Sequence, residues 1–578
     1  MPTTIQLPTS SPTRLPLYLL AAWFILNLLQ AGLTPLDPDE TYYWMYAGSL
    51  DWGYYDHPPA VALIVSLGKD WLPGALGLRF GHVLVSTVTI AGMWHLLDKP
   101  KGEMLWLAAG LVFAQPFLNV YGFIATPDGP LLMFTVFYLL AYRRFLEGPS
   151  IVNGAIWGIT MAGLLYSKYH GVMLIFFSVL PYLFWLIRQP GAWVAALGGA
   201  ALYFPHLYWQ YANDFPSFRY HLNGRNDAYQ FKYTTQYILN QLAIFSPLLV
   251  WFYVKTFLNF KKTTAKEDRF PRAMFWLTIG FLVFFLYTTT KGGTEAQWTA
   301  LLSIPLCYLT FRAARDHFPK WRNGIWTLSL ITIGILILAR LLLMAPREWV
   351  PFDKPFDHAP WVEELSKKAG DLPVMVQNSY RYSSLYEFYS GKPAWTFTDV
   401  QYRRNQYDLW TEDSIFHNQP VFLLGQSSWE NPQAEPFRTQ KRNMRVQKVD
   451  SFQVMKGLTL TTMDQFPDTL RRGERYPLSL VAETSLPLRM DAGSLPLAPF
   501  AAVHYEQEEL LFWRLIDGNG ALSKTTLTPN TPGMLWAGTF QVYANSPLGP
   551  AEIEFGLAYK GMPPIRNQSA RYSVIIIE

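Results

Sequence analysis

The chain has 578 residues, of which 50% are hydrophobic, 16% are aromatic and only 15% are charged. Because soluble proteins carry roughly 25% charged residues, this deficit indicates that lipid surrounds much of the chain. The net charge of +5 is small, and the basic residues lie between apolar runs, which excludes nucleic acid as an expected partner. The single cysteine excludes a disulfide framework.

Apolar runs long enough to cross a bilayer recur through the first 345 residues. About eleven spans are predicted, since roughly 20 apolar residues cross the hydrocarbon core as a helix. They lie near residues 16–31, 78–97, 103–121, 128–146, 152–169, 171–187, 190–210, 236–260, 273–290, 295–311 and 323–344. Basic residues mark every second loop, so the amino terminus is predicted to be cytoplasmic and the carboxyl-terminal region extracytoplasmic.

The loop after the first span, residues 37–68, is dense in ionisable and aromatic residues. Carboxylates beside a membrane span are costly unless water, a metal or a cation compensates them, so the cluster indicates a functional site. A solvated acidic loop is the structural alternative. The ionisable residues in question are Asp37, Asp39, Glu40, Asp51, Asp56 and His57.

After Met344 the pattern becomes that of a soluble protein. Residues 346–456 mix a charged helical stretch with strand-like runs, which predicts an α/β domain. Residues 457–578 contain short alternating runs separated by Gly, Pro and Asn, which predict a β-sandwich-like domain. The sequence therefore predicts three domains: a helical membrane domain at 1–345 and two extracytoplasmic domains at 346–456 and 457–578.

Asp39–Glu40 followed by Asp56-His57-Pro58-Pro59 resembles the GT-C superfamily of membrane glycosyltransferases. The order of features is similar to the branch that holds protein O-mannosyltransferases and the bacterial transferase that places aminoarabinose on lipid A. The resemblance covers roughly residues 16–345 and implies a GT-C bundle with two interfacial helices at about 41–50 and 58–69. The other matching features are Arg79, Thr-Pro-Asp at 126–128, a loop with Trp209, Ser217 and His221, and KGGTEAQW at 291–298.

The resemblance implies an integral-membrane enzyme that moves a sugar from a polyprenyl phosphate to an extracytoplasmic lipid, glycan or protein, with inversion. The expected location is the bacterial inner (plasma) membrane. A lipid flippase or transporter is the main alternative, because many helices with buried charges also suit a transport path. The ionisable residues nevertheless gather on one face, and no repeated halves are found. A structural or polymer-binding envelope protein is a third interpretation, which leaves the loop motifs without a purpose.

The resemblance also implies roles for individual residues. Asp39 is expected to be the acceptor-side base, with Glu40 and Asp128 as further catalytic acids. Cations suited to the donor phosphate are His57, Arg79, Lys168, Lys291, Arg219 and Arg225. Asp56 and His221 are expected to bind a divalent metal (zinc, magnesium or manganese), with water or phosphate oxygens as further ligands. The expected substrate-lining residues are Tyr42, Tyr43, Tyr54, Tyr55, Glu295 and Trp298.

Each of these roles has a structural alternative. Acids such as Asp39 and Asp128 also favour helix amino termini through the dipole, and basic residues at helix ends snorkel to lipid headgroups. His57 stands where several relatives have Lys. An imidazole is fully charged only below its unperturbed pKa of about 6.5, although a nearby phosphate dianion would raise that pKa.

Overall fold

The computed structural model describes residues 5–223, 229–350, 355–463, 467–490, 495–505, 511–515, 526–529, 531–542, 544, 546–565 and 568–578. The chain divides into two compact units, Met1–Phe356 and Asp357–Glu578. The boundary lies slightly beyond the one predicted at 345/346. The further division at 456/457 stays a prediction.

The first unit is helical, as expected for the GT-C fold. Its α-helices are α1 (Leu15–Leu33), α2 (Pro38–Tyr46), α3 (Ala60–Lys69), α4 (Gly74–Leu96), α5 (Glu103–Phe113), α6 (Pro116–Val120), α7 (Asp128–Glu147), α8 (Ile151–Ser167), α9 (His170–Val179), α10 (Leu183–Leu186), α11 (Pro190–Ala212), α12 (Pro216–Asn223), α13 (Phe231–Ile244), α14 (Val250–Leu258), α15 (Phe260–Thr263), α16 (Arg269–Thr288), α17 (Ser303–Asp316) and α18 (Arg322–Met344). A 3-10 helix, Ala296–Leu302, precedes α17.

Four helical segments in the described part of the chain are long and apolar enough to cross a membrane: Leu15–Leu33, Gly74–Leu96, Arg269–Thr288 and Pro319–Met344. The predicted number of about eleven spans stays a prediction. One predicted span is shorter than expected because of a local interruption. The run predicted as a span at 171–187 is interrupted by a 3-10 turn at Leu180–Tyr182, where Pro181 removes a backbone donor, so α9 ends at Val179.

Small residues set the closest approach between helices in the first unit. A Cβ atom added to Gly154 of α8 would meet the backbone of Gly191 in α11, and one added to Gly158 would lie 2.7 Å from the carbonyl oxygen of Ala195. Glycine four residues apart on a membrane helix lets two backbones pack directly. The short distance between α8 and α11 therefore depends on the absence of side chains at these glycines.

Helix α18 is joined to α1 by a buried arginine. Arg340 donates from Nε to Oε1 of Gln30 (3.0 Å), from Nη2 to Oδ1 of Asn27 (2.6 Å) and from Nη1 to Oδ1 of Asn119 (3.2 Å). Its side chain is only 4% exposed. Three amide dipoles thus solvate a cation within an otherwise apolar helix.

The two short helices implied for the first loop are present as α2 and α3, although α2 begins a few residues earlier than expected. Asp37 caps α2 by accepting a hydrogen bond from the Asp39 backbone N (2.9 Å). The Asp37 backbone N in turn donates to the Glu40 carboxylate (2.9 Å). This reciprocal capping box, with Pro38 at the first helical position, fixes the start of α2.

The second unit begins with α19 (Ala359–Ala369), β1 (Val374–Gln377), α20 (Tyr380–Ser390), β2 (Ala394–Phe397), β3 (Gln419–Gln426), β4 (Glu435–Arg438) and β5 (Asn443–Phe452). The five strands form one sheet in the order β2-β1-β3-β5-β4. β1 runs parallel to β2 and β3, whereas β5 runs antiparallel to β3 and β4. Side chains of both helices and of β1 and β3 share one apolar core.

The rest of the second unit is β-rich. Its strands are β6 (Thr459–Thr462), β7 (Thr469–Arg471), β8 (Arg475–Glu483), β9 (Leu488–Arg489), β10 (Leu497–Tyr505), β11 (Leu511–Leu515), β12 (Thr526–Leu527), β13 (Gly533–Gln541), β14 (Gly549–Tyr559) and β15 (Tyr572–Ile577). They form sheets ordered β11-β10-β14-β15-β7, β13-β8-β6 and β12-β9. Phe540 of β13 contacts Phe555 of β14, with ring centroids 6.1 Å apart, so the two larger sheets pack together at this point.

Candidate active site

A buried ion pair fixes the first loop against α4. Arg79 donates from Nε to Oε1 of Glu40 (2.7 Å) and from Nη2 to Oε2 (2.5 Å), with both side chains almost fully buried. Glu40 Oε1 also accepts from the backbone N of Ala125 (2.8 Å). The pair therefore joins the start of α2, helix α4 and the turn before α7.

The remaining hydrogen bonds of Arg79 leave it no spare donor. It also donates to the carbonyl oxygens of Ala31 (3.2 Å), Thr34 (2.7 Å) and Pro35 (3.0 Å). A guanidinium has five N–H groups, and these contacts together with the two to Glu40 account for all of them. These contacts favour a role in holding the loop over the expected phosphate contact of Arg79 and the expected catalytic role of Glu40, and both expected roles stay predictions.

Asp39 lies beside this ion pair, on the second residue of α2. Its backbone N is bound by the cap, and its side chain is half-buried. Because adjacent positions on a helix point in different directions, Asp39 and Glu40 face different surroundings. The buried partner is structural, which leaves Asp39 as the member of the pair that reaches a partly solvated space.

All four tyrosines expected to line the substrate site pack in the protein interior. Tyr54 stacks on Tyr46 with ring centroids 4.0 Å apart, and Tyr42 lies 4.6 Å from Tyr46. Tyr43 lies edge-on to His57 (5.6 Å), and Tyr55 contacts Tyr220 of α12. All four expected tyrosines are less than 9% exposed. This burial favours a role in shaping the loop over direct stacking on a sugar.

Asp56 and His221, the expected metal pair, are neighbours. His221 Nε2 lies 3.2 Å from the backbone oxygen of Asp56. The Asp56 carboxylate accepts a hydrogen bond from Tyr46 Oη (2.7 Å). A carboxylate and an imidazole suit a divalent ion. Within the described ranges, however, no group of three or more His, Cys, Asp or Glu residues gathers as metal ligands would. The residues fit a metal in part, with two protein ligands.

Three consecutive residues at the junction of α8 and α9 contact several of the predicted site residues. Lys168 binds Asp128 at the start of α7. Tyr169 Oη lies 3.0 Å from His206 Nε2 of α11, and its ring lies 5.3 Å from that of His221. His170 lies 5.7 Å from the Trp298 ring in the 291–298 segment. The run 168–170 thus contacts three segments that are distant in sequence.

The Lys168–Asp128 contact is a second buried ion pair. Lys168 Nζ donates to both carboxylate oxygens of Asp128, at 2.8 and 2.9 Å. An ammonium has three N–H groups, so one is not used by this pair. Both Asp128 oxygens face Lys168, which favours a role in orienting the lysine over the expected role as a catalytic acid.

The 291–298 segment brings further ionisable groups to this region. The charges of Asp37, Asp128 and Glu295 all act on the hydroxyl of Tyr121, which places the first loop, the start of α7 and this segment near one another. Lys291 is exposed and lies 5.8 Å from the ring centroid of Tyr287. Lys291 therefore stands at the solvent-facing edge of the region.

Arg219 and Arg225 are the last two residues expected to contact the donor phosphate. Arg219 forms an exposed ion pair with Asp214 only five residues away, at 2.5 Å. Such a local surface pair is typical of a solvated helix face and gives no geometric support to phosphate binding. Arg225 lies outside the described residues.

Sequence reasoning did not identify the hydrogen-bonded network behind the first loop. His206 Nδ1 lies 2.7 Å from the Trp52 carbonyl oxygen, and Trp209 Nε1 donates to Asp51 (2.7 Å). Gln210 donates to both Tyr169 Oη and Ser217 Oγ. The signal was the spacing of polar residues at 206, 209 and 210 on one face of an apolar helix. The first-loop partners of His206 and Trp209, however, lie more than 150 residues away, beyond the reach of local patterns.

Three comparisons with known proteins bear on this arrangement. Residues 56–209 match the family model described as dolichyl-phosphate-mannose-protein mannosyltransferase. Over 333 residues, 54% of this chain, the sequence is 21% identical to the lipid A galacturonosyltransferase RgtD of Rhizobium johnstonii; the match spans 66% of that protein, just under two thirds of its length. ArnT from Cupriavidus metallidurans is structurally similar in the apo state (12% identity) and bound to undecaprenyl phosphate (13% identity), each with a TM-score of 0.57 over 75% of this chain and 98% of that chain.

The fold and the charged site define a polytopic membrane protein with the GT-C architecture. Its fold is similar to that of ArnT, and its sequence is similar to the protein mannosyltransferase family over residues 56–209 and to the lipid A galacturonosyltransferase RgtD over 54% of the chain. The resemblance carried by the first-loop motifs is confirmed, since the matched region begins at Asp56 of the Asp-His-Pro-Pro motif.

Proposed function

We propose that the chain transfers a sugar from a polyprenyl-phosphate donor to an acceptor on the extracytoplasmic side of the membrane. The observation that carries the proposal is the run Lys168–His170, whose three side chains contact Asp128, His221 and Trp298. The run thus brings a buried ammonium, the imidazole of His221 and an aromatic residue of the 291–298 segment together. A sugar phosphate needs a base, a cation and a surface for its ring.

Asp39 is the proposed base. Its carboxylate removes the proton from the acceptor hydroxyl, and the hydroxyl oxygen forms a bond to the anomeric carbon. The bond from that carbon to the phosphate oxygen breaks in the same step, so the phosphate leaves with the electron pair. Attack opposite the leaving group inverts the configuration. Glu40, and not Asp39, is the carboxylate that binds Arg79 through two hydrogen bonds.

Lys168 is the proposed principal contact of the donor phosphate. Asp128 holds its ammonium by two hydrogen bonds, and the third N–H is left for a phosphate oxygen. Placing a fixed cation where negative charge develops lowers the barrier more than a mobile surface cation does. His57 and Lys291 are proposed as secondary cations on the same leaving group.

Asp56 and His221 are proposed as two ligands of a divalent ion, with water or phosphate oxygens as the others. Such an ion would supply positive charge beside the leaving phosphate. The remaining residues bind and orient the substrates without it. Tyr46 orients the Asp56 carboxylate, and Tyr169 packs against the His221 ring.

The names of similar proteins support the choice of substrates. One ArnT structure contains undecaprenyl phosphate, and RgtD acts on lipid A. We infer a polyprenyl-phosphate sugar as donor and a lipid, glycan or protein as acceptor, with lipid A the example that RgtD provides. The distribution of basic residues supports an amino terminus in the cytoplasm, and the bacterial sources of RgtD and ArnT support the bacterial inner membrane as the location.

The proposal is tested by incubating the purified full-length protein with radiolabelled polyprenyl-phosphate sugars and extracts of host membranes. Label that moves to a membrane lipid, glycan or protein supports the transferase and identifies the sugar and the acceptor. No label transfer, together with movement of the labelled lipid across reconstituted vesicles, would instead support a flippase.

A further inference from the structure

The second unit contains a cavity of about 180 Å³ that none of the proposed transferase residues lines. Its wall includes the end of β2, the loop after β5 at 454–458 and the last residue of β14. It therefore lies where the five-stranded sheet meets the β-rich region that follows it.

Aromatic rings form much of the cavity wall, and their positions are fixed. Tyr559 donates from Oη to the Gln453 carbonyl oxygen (2.6 Å), and its ring contacts Phe397 and Phe452 at 5.2 and 5.1 Å. Trp395 and Tyr407 meet nearly at right angles, with centroids 4.9 Å apart. The faces of aromatic rings carry partial negative charge and attract weakly positive C–H groups. One side of the cavity thus suits the C–H face of a saturated ring.

Three charged groups with few partners line the same cavity. Asp408 uses one oxygen, Oδ2, to accept from Thr398 Oγ1 (3.1 Å) and from the Asn405 backbone N (2.7 Å). In the part of the chain that the structure describes, its Oδ1 accepts no hydrogen bond. Among the described residues, the Tyr407 carbonyl oxygen is the one acceptor of Lys456 Nζ, at 3.3 Å.

The charges of Asp408, Asp413 and Lys456 act on one another without forming an ion pair between described residues. Burial raises the pKa of both carboxyl groups and lowers the pKa of the lysine. Each group is thus partly removed from water without full compensation, which is an unfavourable arrangement. Arg404 and Glu412 also influence Lys456, and Arg404 lines the cavity as a second cation.

We propose that this cavity binds one ring of a neutral saccharide. Hydroxyl groups donate to carboxylates and accept from ammonium groups, so a sugar satisfies Asp408, Asp413 and Lys456 together. The lining carries two cations and two anions, Arg404 and Lys456 against Asp408 and Asp413, and this balance favours an uncharged ligand. The volume is small beside the roughly 300–1,000 Å³ of drug-sized sites, which limits the occupant to about one ring.

The inference goes beyond the proposed transfer, because binding here involves neither the donor lipid nor Asp39. It assigns the second unit a glycan-recognition function of its own. A membrane enzyme that modifies cell-surface glycans would gain a second contact with its product or acceptor from such a site.

The test uses the full-length protein in phospholipid nanodiscs, free of maltoside and glucoside detergents whose headgroups would compete. Methyl glycosides of glucose, galactose, mannose and N-acetylglucosamine are titrated and followed by saturation-transfer NMR and tryptophan fluorescence. At least one should saturate with a Kd of about 1 mM, and Asp413→Asn or Lys456→Met should weaken it about tenfold or more. Glu412→Gln is the matched control, since Glu412 precedes Asp413 but does not line the cavity, and it should bind like the wild type.

Three outcomes would overturn the inference. The first is that no glycoside saturates the protein at about 100 mM, far above a millimolar Kd. The second is unchanged affinity in the Asp413→Asn/Lys456→Met double variant. The third is tighter binding of methyl glucuronide or inorganic phosphate than of the neutral sugars. Repeating the titration on Asp39→Asn protein separates this inference from the transferase proposal, because the affinity should not change when transfer is lost.

Discussion

Arg79 and Glu40 lie 39 residues apart in the sequence and form a two-point ion pair in the protein interior. The pair also binds five backbone groups, at Ala31, Thr34, Pro35, Asp37 and Ala125. Arg79 thus holds the first loop in position. Arg79, which the resemblance assigned to the donor phosphate, binds groups of the protein instead.

Glu40→Gln should destabilise the protein by about 3–5 kcal/mol, because it leaves the Arg79 guanidinium buried without its counter-charge. Thermal unfolding in nanodiscs, followed by intrinsic fluorescence, measures the effect. Arg219→Gln is the control and should stay within about 1 kcal/mol of the wild type, since its ion pair with Asp214 is exposed. If Arg79→Lys kept the wild-type melting temperature but raised the donor KM, the phosphate role would have to be reinstated.

Asp39→Asn should lower kcat for transfer by about 10²–10⁴-fold, because asparagine cannot accept the proton of the acceptor hydroxyl. The melting temperature should stay close to the wild-type value, since only the backbone of Asp39 takes part in the cap. Asp70→Asn, an exposed acid paired with Lys69 after α3, is the control and should retain full activity. A fully active Asp39→Asn enzyme would remove Asp39 from the mechanism.

The role of Lys168 is tested in a double variant, because Lys168→Gln alone leaves the buried Asp128 carboxylate without its counter-charge. Lys168→Gln/Asp128→Asn should fold, since both charges are removed, yet its donor KM should rise about tenfold or more. Asp128→Asn alone should raise the donor KM less, because the ammonium remains. Steady-state kinetics with varied donor measures both effects. A wild-type donor KM in the double variant would assign the ion pair to structure alone.

The proposed metal pair predicts a specific response to chelation. Dialysis against EDTA should slow transfer by the wild-type enzyme, and added zinc, magnesium or manganese should restore it. His221→Ala should hold less metal by elemental analysis and should no longer respond to EDTA, because one of two protein ligands is missing. Equal metal content in His221→Ala and the wild type would contradict this assignment.

Glu387 on α20 gives the second unit a pH-dependent stability. Burial raises its pKa to about 7 from an ordinary value of about 4.5. Between these values the folded state holds a proton that the unfolded state releases, so stability falls as pH rises from about 4.5 to 7. Glu387→Gln should therefore stabilise the second unit at pH 8, by about 1–3 kcal/mol after allowance for partial exposure, and leave it unchanged at pH 4.

The measurement for Glu387 is the melting temperature of the full-length protein across this pH range. Glu364→Gln, an exposed acid on the neighbouring helix α19, serves as the control and should follow the wild-type profile. A gain for Glu387→Gln that is the same at pH 4 and pH 8 would point to packing instead of charge.

The superfamily, the helical first unit and the β-rich carboxyl-terminal region were predictable because they depend on local patterns. Apolar runs, alternation and the Asp-Glu and Asp-His-Pro-Pro motifs are all read within short windows. The closeness of Asp56 and His221 was inferred from the resemblance, and the structure brings them together. Their role as metal ligands stays a prediction.

Partner choice was not predictable in the same way. Nothing in the sequence around Arg79 distinguishes a guanidinium that binds phosphate from one that is saturated by Glu40 and three carbonyl groups. The burial of Tyr42 and Tyr54 likewise follows from stacking around Tyr46, which depends on the path of the loop. Pairings of this kind are set by tertiary packing, and single-sequence patterns carry little information about them.

The amide cluster around Arg340 has a consequence for biogenesis. Arg340 belongs to the last long apolar helix to be synthesised, whereas Asn27, 313 positions earlier, belongs to the first. An arginine in lipid without polar partners costs several kcal/mol, so we expect α18 to be more stable in the bilayer when α1 is already there with Asn27 and Gln30 facing Arg340. The stability of α18 in the membrane thus depends on the earlier insertion of α1 and on its rotation about its own axis.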